Sequence, residues 1–336
     1  MNVISRARPV LVAYVGGTHV RFALVDIAAR TPLIAGTTRR YRASEFPSFA
    51  DAVRSYIDES EERPVSAVIA AAGLRVNGEV RLTNLPWVIS RHAIETAFGF
   101  ERATLINDFA AMALSVPLLE AHDLCAIGAP APARFDIAAS QTFAVVGPGT
   151  GLGVGALMVR ERRLFPLETE GGHASLAPGN SEEIEILRRL AARFGHVSNE
   201  RVLCGSGLVN LYETLCEMDG VAARCTTPEE ITAGANADAA CRRAVERFSE
   251  LLGAVAGDLA LTFGAWDGVY LTGGLAPLLL AWIEAGGFRR RFEEKGRLST
   301  AAARVPSAVV VHADAGLLGA AVQAMIEAGR FDVRIE

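Results

Sequence analysis

Cysteine is scarce and unpatterned: Cys125, Cys204, Cys216, Cys225 and Cys241 form an odd set with no CxxC pair. This argues against a disulfide framework and a thiolate zinc site and leaves reduced, structural thiols as the expectation. Long apolar runs are missing as well. Ala67 to Ala72 and Leu275 to Ile283 fall short of the roughly 18 residues of a membrane-spanning helix and suit a buried strand and a buried helix face. No block of one charge stands out, since 33 Lys and Arg against 38 Asp and Glu give a net charge of −5. Nucleic acid and anionic membranes are therefore not expected as partners. The short runs Arg39-Arg40 and Arg289-Arg290-Arg291 read as solvated faces. His92, His122, His196 and His312 show no ligand spacing, so no protein-held catalytic metal is implied. Met1 to Arg8 is polar and leads straight into a strand, with no signal peptide, and the cytoplasm is the expected location.

What is present is ample apolar material. A chain of 336 residues with 51% hydrophobic and 21% charged residues can bury roughly 75% of its unfolded surface and suggests two lobes. Val10 to Asp26 reads as a β-hairpin around a glycine turn. A third β segment lies near Leu33 to Tyr41, and Phe49, Val53, Tyr56 and Ile57 recur at helical spacing. Val65 to Ala72 suits a strand covered on both faces. The strand Ala103 to Ile106 delivers Asn107-Asp108 at its carboxyl end, where α/β sheets gather ligands, and a helix follows from Phe109 to Leu119. Gln141 to Val159 repeats the opening device of strand, Gly/Thr turn and returning strand. From Ser181 helices dominate, with one over Glu200 to Cys216 and another announced by Thr227-Pro228-Glu229-Glu230. Val269 to Gly274 is again strand into glycine turn, followed by a helix over Leu275 to Ala285, a strand over Val309 to His312 and a helix over Gly316 to Ala328.

Turns of Gly and Thr after a strand bring backbone N–H groups close to an anion. Three occur: Gly16-Gly17-Thr18, Gly149-Thr150-Gly151 within the run Gly147 to Gly153, and Gly273-Gly274. Together they point to phosphate. Asp108 at a cleft can deprotonate a hydroxyl, as phosphoryl transfer asks of its base, or it can serve as a helix N-cap. Glu170-Gly171-Gly172-His173 offers an acceptor and a donor suited to sugar hydroxyls, or is a glycine loop with a surface histidine. Glu200 suits either a sugar or a helix start. Glu168 reads as support behind the site or as surface.

These segments resemble the bacterial hexose glucokinases of the actin-like, hexokinase-type ATPase superfamily. The resemblance is carried by Val15 to Thr18 with Arg21 to Leu24, Leu82-Thr83-Asn84-Leu85-Pro86-Trp87, and Leu105 to Phe109. It continues through Gly147 to Gly153, Glu170 to His173, Gly195 to Ser198 with Glu200 to Leu203, and Leu271 to Gly274. It implies an α/β, two-lobed, duplicated ribonuclease H-like fold with a cleft between residues 1–121 plus 313–336 and residues 122–312. It also implies a cytoplasmic glycolytic homodimer that phosphorylates glucose to glucose 6-phosphate with ATP, Mg²⁺ arriving on the nucleotide. Asn107, Asp108, Glu170, His173 and Glu200 would then hold the sugar, with Asp108 as base. Gly16, Gly17, Thr18, Gly149, Thr150 and Gly151 would cradle phosphates, and Gly273 and Gly274 would flank adenosine. The cysteine-rich zinc motif of the repressor-type sugar kinases is missing, which fits the zinc-free branch.

The chain departs from the family pattern at Tyr14, where an aspartate is expected before the first Gly-Gly-Thr, and at His19, where an asparagine is expected after it. That aspartate holds the water shell of Mg²⁺ in the family, and losing such a charge would cost roughly 3 to 4 kcal/mol, or about 10² to 10³ in turnover. Ala72-Gly73-Leu74 lacks the proline that relatives tend to place after the glycine. Two further readings follow: a sugar-binding sensor that has lost efficient catalysis, and a kinase for another hexose or an amino sugar.

Overall fold

The computed structural model describes residues 8–82, 85–132 and 134–331. The N-terminal heptapeptide and Thr83-Asn84 of the Leu82–Trp87 motif lie outside the described residues. The chain opens with β1 (Val10–Val15), β2 (His19–Val25), β3 (Arg39–Arg42), helix α1 (Phe49–Asp58) and β4 (Ser66–Ala71). A small excursion, β5 (Leu74–Val76), β6 (Glu79–Arg81) and β7 (Val88–Ser90), precedes α2 (Arg91–Phe98), β8 (Arg102–Asn107) and α3 (Asp108–Ser115). Next come β9 (Leu124–Ala126), β10 (Gln141–Pro148), β11 (Leu152–Arg160) and β12 (Arg163–Thr169). Helices α4 (Ser181–Phe194), α5 (Gly205–Asp219), α6 (Pro228–Gly234) and α7 (Ala239–Phe263) lead to β13 (Gly268–Leu271). The chain closes with α8 (Leu275–Leu278), α9 (Leu280–Glu284), α10 (Gly287–Glu293), α11 (Ser299–Ala302), β14 (Ser307–Val310) and α12 (Ala315–Glu327).

Two mixed sheets carry the duplication. One has the order β3-β2-β1-β4-β8 and the other β12-β11-β10-β13-β14-β9. In each, an antiparallel hairpin (β1–β2, β10–β11) is joined by parallel strands on its inner side, as the repeated strand-turn-strand device predicts. The parallel register aligns Val15 with Ala71 and Ala71 with Asn107. The first glycine turn and Asn107-Asp108 therefore sit at one edge of one sheet, the edge at which strand carboxyl ends present ligands.

Apolar alternation decides which helix covers which face. Val10 and Val12 of β1 share a core with α3 and α12, whereas Leu11, Ala13 and Val15 pack with Phe49, Val53 and Tyr56 of α1 on the other face. Helix α3 reaches the second sheet through Phe109. A Cβ added to Gly153 would lie 1.8 Å from the Phe109 ring, one on Gly147 2.6 Å from it, and one on Gly155 2.8 Å from the Phe109 carbonyl. These three glycines clear a bare patch, and filling it with a buried phenyl is worth roughly 2 to 3 kcal/mol.

Several boundaries differ from expectation. Leu33 makes only a bridge to Val25, and the third strand is Arg39–Arg42. Glu200 lies in a single 3-10 turn, Asn199–Arg201, and α5 begins at Gly205, capped by Cys204. The expected helix over Leu275 to Ala285 is broken at Leu279 into α8 and α9. The last strand ends at Val310, two residues short of His312. Arg289 and Arg291 are each only 8% exposed rather than solvated, because Arg291 pairs with buried Glu183 and Arg289 donates to Val305, Ser307 and Glu293. The Thr227 capping box forms as expected. Among the described residues, no helix is long and apolar enough to cross a membrane.

Candidate active site

Asn107 ends β8, and its Oδ1 caps α3 by accepting from the N–H groups of Phe109 (2.8 Å) and Ala110 (3.1 Å). The cap is thus Asn107, and Asp108 is the first helical residue, free of that duty. Glu168 of β12 accepts the Asn107 backbone N–H at 3.3 Å, so a carboxylate of the second sheet steadies the very residue that precedes Asp108. Asn107, Glu168, Thr169 and Glu170 line a common cleft of about 240 Å³ together with Ala71 and Gly73. The Asp108 carboxyl is raised to about 6, first by burial and further by the negative charge of Glu170, against the lowering effect of backbone N–H groups at Phe109 and Asp108 itself.

The Glu170–His173 turn is pressed onto β11. A Cβ on Gly172 would stand 1.9 Å from the Leu152 carbonyl, and one on Gly171 2.9 Å from Val154. Only glycine allows this approach. His173 Nε2 then comes 4.0 Å from Glu200 Oε1. Glu200 Oε2 accepts the Leu152 N–H at 2.8 Å, and a Cβ on Gly151 would lie 2.4 Å from the same oxygen. Glu200 therefore sits beneath the second glycine turn and touches both the turn and the histidine. Of the five candidate sugar residues, Asn107 and Glu170 line the cleft itself, Asp108 follows Asn107 within electrostatic reach of Glu170, and His173 and Glu200 pair at the second glycine turn.

The glycine turns divide into two groups. Gly149 donates to the Gly151 carbonyl and accepts from the N–H of Gly205, and its Cβ position is 3.9 Å from the Gly274 N–H. Gly273, at φ +82°, presses against the Pro148 carbonyl. The turns at Gly149-Thr150-Gly151 and Gly273-Gly274 are thus side by side, while Gly16-Gly17-Thr18 belongs to the other sheet.

A family model described as Glucokinase matches residues 11–327, and a glucokinase of Stenotrophomonas maltophilia (strain K279a) is 49% identical over 322 residues, 95% of this chain and 96% of that protein. The chain belongs to the glucokinase family. Among solved structures, a glucokinase from an Antarctic psychrotroph superposes with a TM-score of 0.84 at 34% identity, covering 94% of this chain and 98% of its own. A ROK family glucokinase from Streptomyces griseus, solved in complex with glucose and AMPPNP, shares the fold at a TM-score of 0.62 and 19% identity over 93% of this chain and 98% of its own. The actin-like α/β architecture expected from the sequence is that of these glucokinases.

Two residues of this glucokinase-family site escaped sequence reasoning. Phe109 closes the Leu105–Phe109 motif, yet it also spans the two sheets; the signal is glycine on one face of a hairpin, since Gly147 and Gly153 are cross-strand partners and Gly155 follows two residues on. Arg21 donates to the Ala313 carbonyl at 2.6 Å and so ties β2 to the start of α12. Nothing in its local sequence spacing announces a partner 292 residues away.

Proposed function

We propose that this protein transfers the terminal phosphoryl group of ATP to a hydroxyl of glucose, giving glucose 6-phosphate and ADP. The observation that carries the reading is Asp108 at the carboxyl edge of the first sheet, released from capping by Asn107 and raised to about 6. Such a group is ionised at neutral pH yet basic enough to take a proton from an alcohol as that oxygen attacks phosphorus. The proton passes to Asp108, the new O–P bond forms, and the bond to ADP breaks. Glu170 and Glu200 accept from sugar hydroxyls. His173 and the Asn107 amide donate to them. The turns at Gly16–Thr18, Gly149–Gly151 and Gly273–Gly274 hold the nucleotide, in keeping with the glucose and AMPPNP named for the Streptomyces griseus glucokinase.

Mg²⁺ would arrive on the nucleotide. Tyr14 occupies the position where the family resemblance expects a carboxylate, and its phenol is held even above its ordinary range by burial and by the charge of Asp108, so it does not fit that role. Tyr14 is also the observation that favours the second reading, a sugar-binding homologue with weakened catalysis. The division into lobes of 1–121 plus 313–336 and 122–312 is supported by the packing of α12 with the β1 and β4 face, and a cytoplasmic homodimer by the family resemblance.

The test is sugar-dependent ADP release, measured with glucose and a panel of other hexoses and amino sugars. Asp108→Asn is expected to lose about 10² to 10⁴ in turnover. Robust turnover by that variant would remove Asp108 from its role, and tight glucose binding by the native protein without phosphorylation would favour the sugar-binding reading.

A further inference from the structure

The register of the first sheet places Tyr14, Arg21 and Arg40 side by side on three adjacent strands, and His19 beside Arg42 one row closer to the Gly16–Thr18 turn. Cross-strand partners project from the same face. Tyr14 packs into the core that contains α12, so these side chains share the α12 face of the sheet at its ligand edge. Arg40 Nη2 lies 3.3 Å from His19 Nδ1. Ala43 donates to the Thr18 carbonyl at 3.0 Å, tying the end of β3 to the turn itself. Arg40 and Arg42 are exposed. Among the described residues, none of Arg21, Arg40 and Arg42 is ion-paired with a carboxylate, and Glu45 is the nearby acid whose charge opposes theirs at His19. The cations hold the His19 imidazole below its ordinary value, after burial, which leaves it a neutral ring with one N–H to donate.

We infer that His19, Arg21, Arg40 and Arg42 form a binding site for the terminal phosphates of the phosphoryl donor, supplying from the protein the positive charge that Tyr14, unlike a carboxylate, cannot recruit as a metal ion. The inference rests on the kinase reading and specifies how its donor is held. Guanidinium groups give short, charge-assisted bonds to phosphate oxygens, and the backbone N–H groups of a glycine turn add to them. A neutral phenol beside Arg21 leaves that charge uncompensated, since the Ala313 carbonyl that accepts from Arg21 is itself neutral. The site therefore binds a polyphosphate chain without magnesium.

The experiment is calorimetry of the whole protein with inorganic tripolyphosphate, in the presence of glucose and EDTA. The native protein binds the probe, and an Arg40→Met, Arg42→Met double variant binds it about tenfold or more weakly, with glucose affinity and Tm unchanged. His19→Ala weakens binding by a smaller factor. No binding by the native protein, or equal affinity in the double variant, overturns the inference. So does an equal loss in an Arg297→Met, Arg304→Met control, which would make the attraction one of general charge. ADP release with glucose and Mg-ATP is measured in parallel: turnover by the native protein with no effect of Arg40 and Arg42 on the probe sinks the inference and spares the kinase. Failure to phosphorylate any sugar removes the donor role even if the anion binds.

Discussion

The ring of Tyr14 lies flat against Gly316: a Cβ on that glycine would stand 2.2 Å from Cδ2 and 2.7 Å from Cγ. Helix α12 can therefore cross β1 at this point only because residue 316 has no side chain. Gly316→Ala is expected to destabilise the protein by about 1 to 3 kcal/mol through overpacking, read as a lower denaturation midpoint at unchanged slope. In a Tyr14→Ala background the same change should cost much less, so the double-mutant cycle reports the contact itself. A Gly316→Ala variant as stable as the native protein would mean that the ring moves aside freely.

Tyr14→Asp places a carboxylate next to Arg21 and within electrostatic reach of Asp108. With Mg-ATP, turnover is expected to rise by up to about 10² as a metal-recruiting charge is supplied, with saturation at lower Mg²⁺. The new charge should also compensate Arg21 and weaken magnesium-free tripolyphosphate binding. A Mg²⁺ titration of turnover checks the first outcome; an unchanged magnesium response counts against it.

Asp108 links pH to both rate and stability. Because its carboxyl is raised to about 6, kcat/KM for glucose should fall with an apparent pKa near that value as pH is lowered, the proton-accepting form being lost. The stability effect has the opposite sense. A carboxyl raised on folding contributes stability that is complete below its unfolded pKa and is lost as pH rises through its folded value. At pH 7 the ionised, half-buried carboxylate is a liability, and Asp108→Asn should gain about 1 to 3 kcal/mol there. That gain should vanish below about pH 4. Thermal melts of both proteins from pH 4 to 8 check the crossing, and parallel curves would contradict it.

Much of this site was legible because it is built from local devices. The hairpin around Gly16–Thr18, its repeat around Gly149–Gly151 and the strand that ends at Asn107 each announce themselves by alternation and glycine. What stayed hidden depends on contacts between distant segments. Arg289 and Arg291 looked like surface because a basic run carries no mark of its partners, buried Glu183 more than a hundred residues from Arg291 and the Val305 carbonyl and Ser307 hydroxyl for Arg289. Glu168 was open between support behind the site and surface, because the backbone N–H that it accepts belongs to the other sheet. The cap fell to Asn107 rather than Asp108 because the strand ends one residue later than the apolar run suggests. Glu200 looked like the start of a helix, but its side chain was committed to Leu152.

That commitment makes Glu200 a joint between the two halves of the site. Its Oε2 holds the Leu152 N–H at 2.8 Å directly behind Gly151, and its Oε1 lies 4.0 Å from His173. Glu200→Ala removes both contacts and leaves the Leu152 N–H without its acceptor, a loss of about 1.5 to 3 kcal/mol for a bond to a charged group. The expected result is a fall of about 10- to 100-fold in kcat/KM, with KM raised for glucose and for ATP together. Glu200→Gln keeps an oxygen for Leu152 and loses the charge facing His173, so it should raise KM for glucose while leaving KM for ATP close to native. Initial-rate kinetics with each substrate varied in turn separates the two. If Glu200→Ala alters glucose alone, the bond to Leu152 does not hold the phosphate turn and Glu200 serves the sugar only.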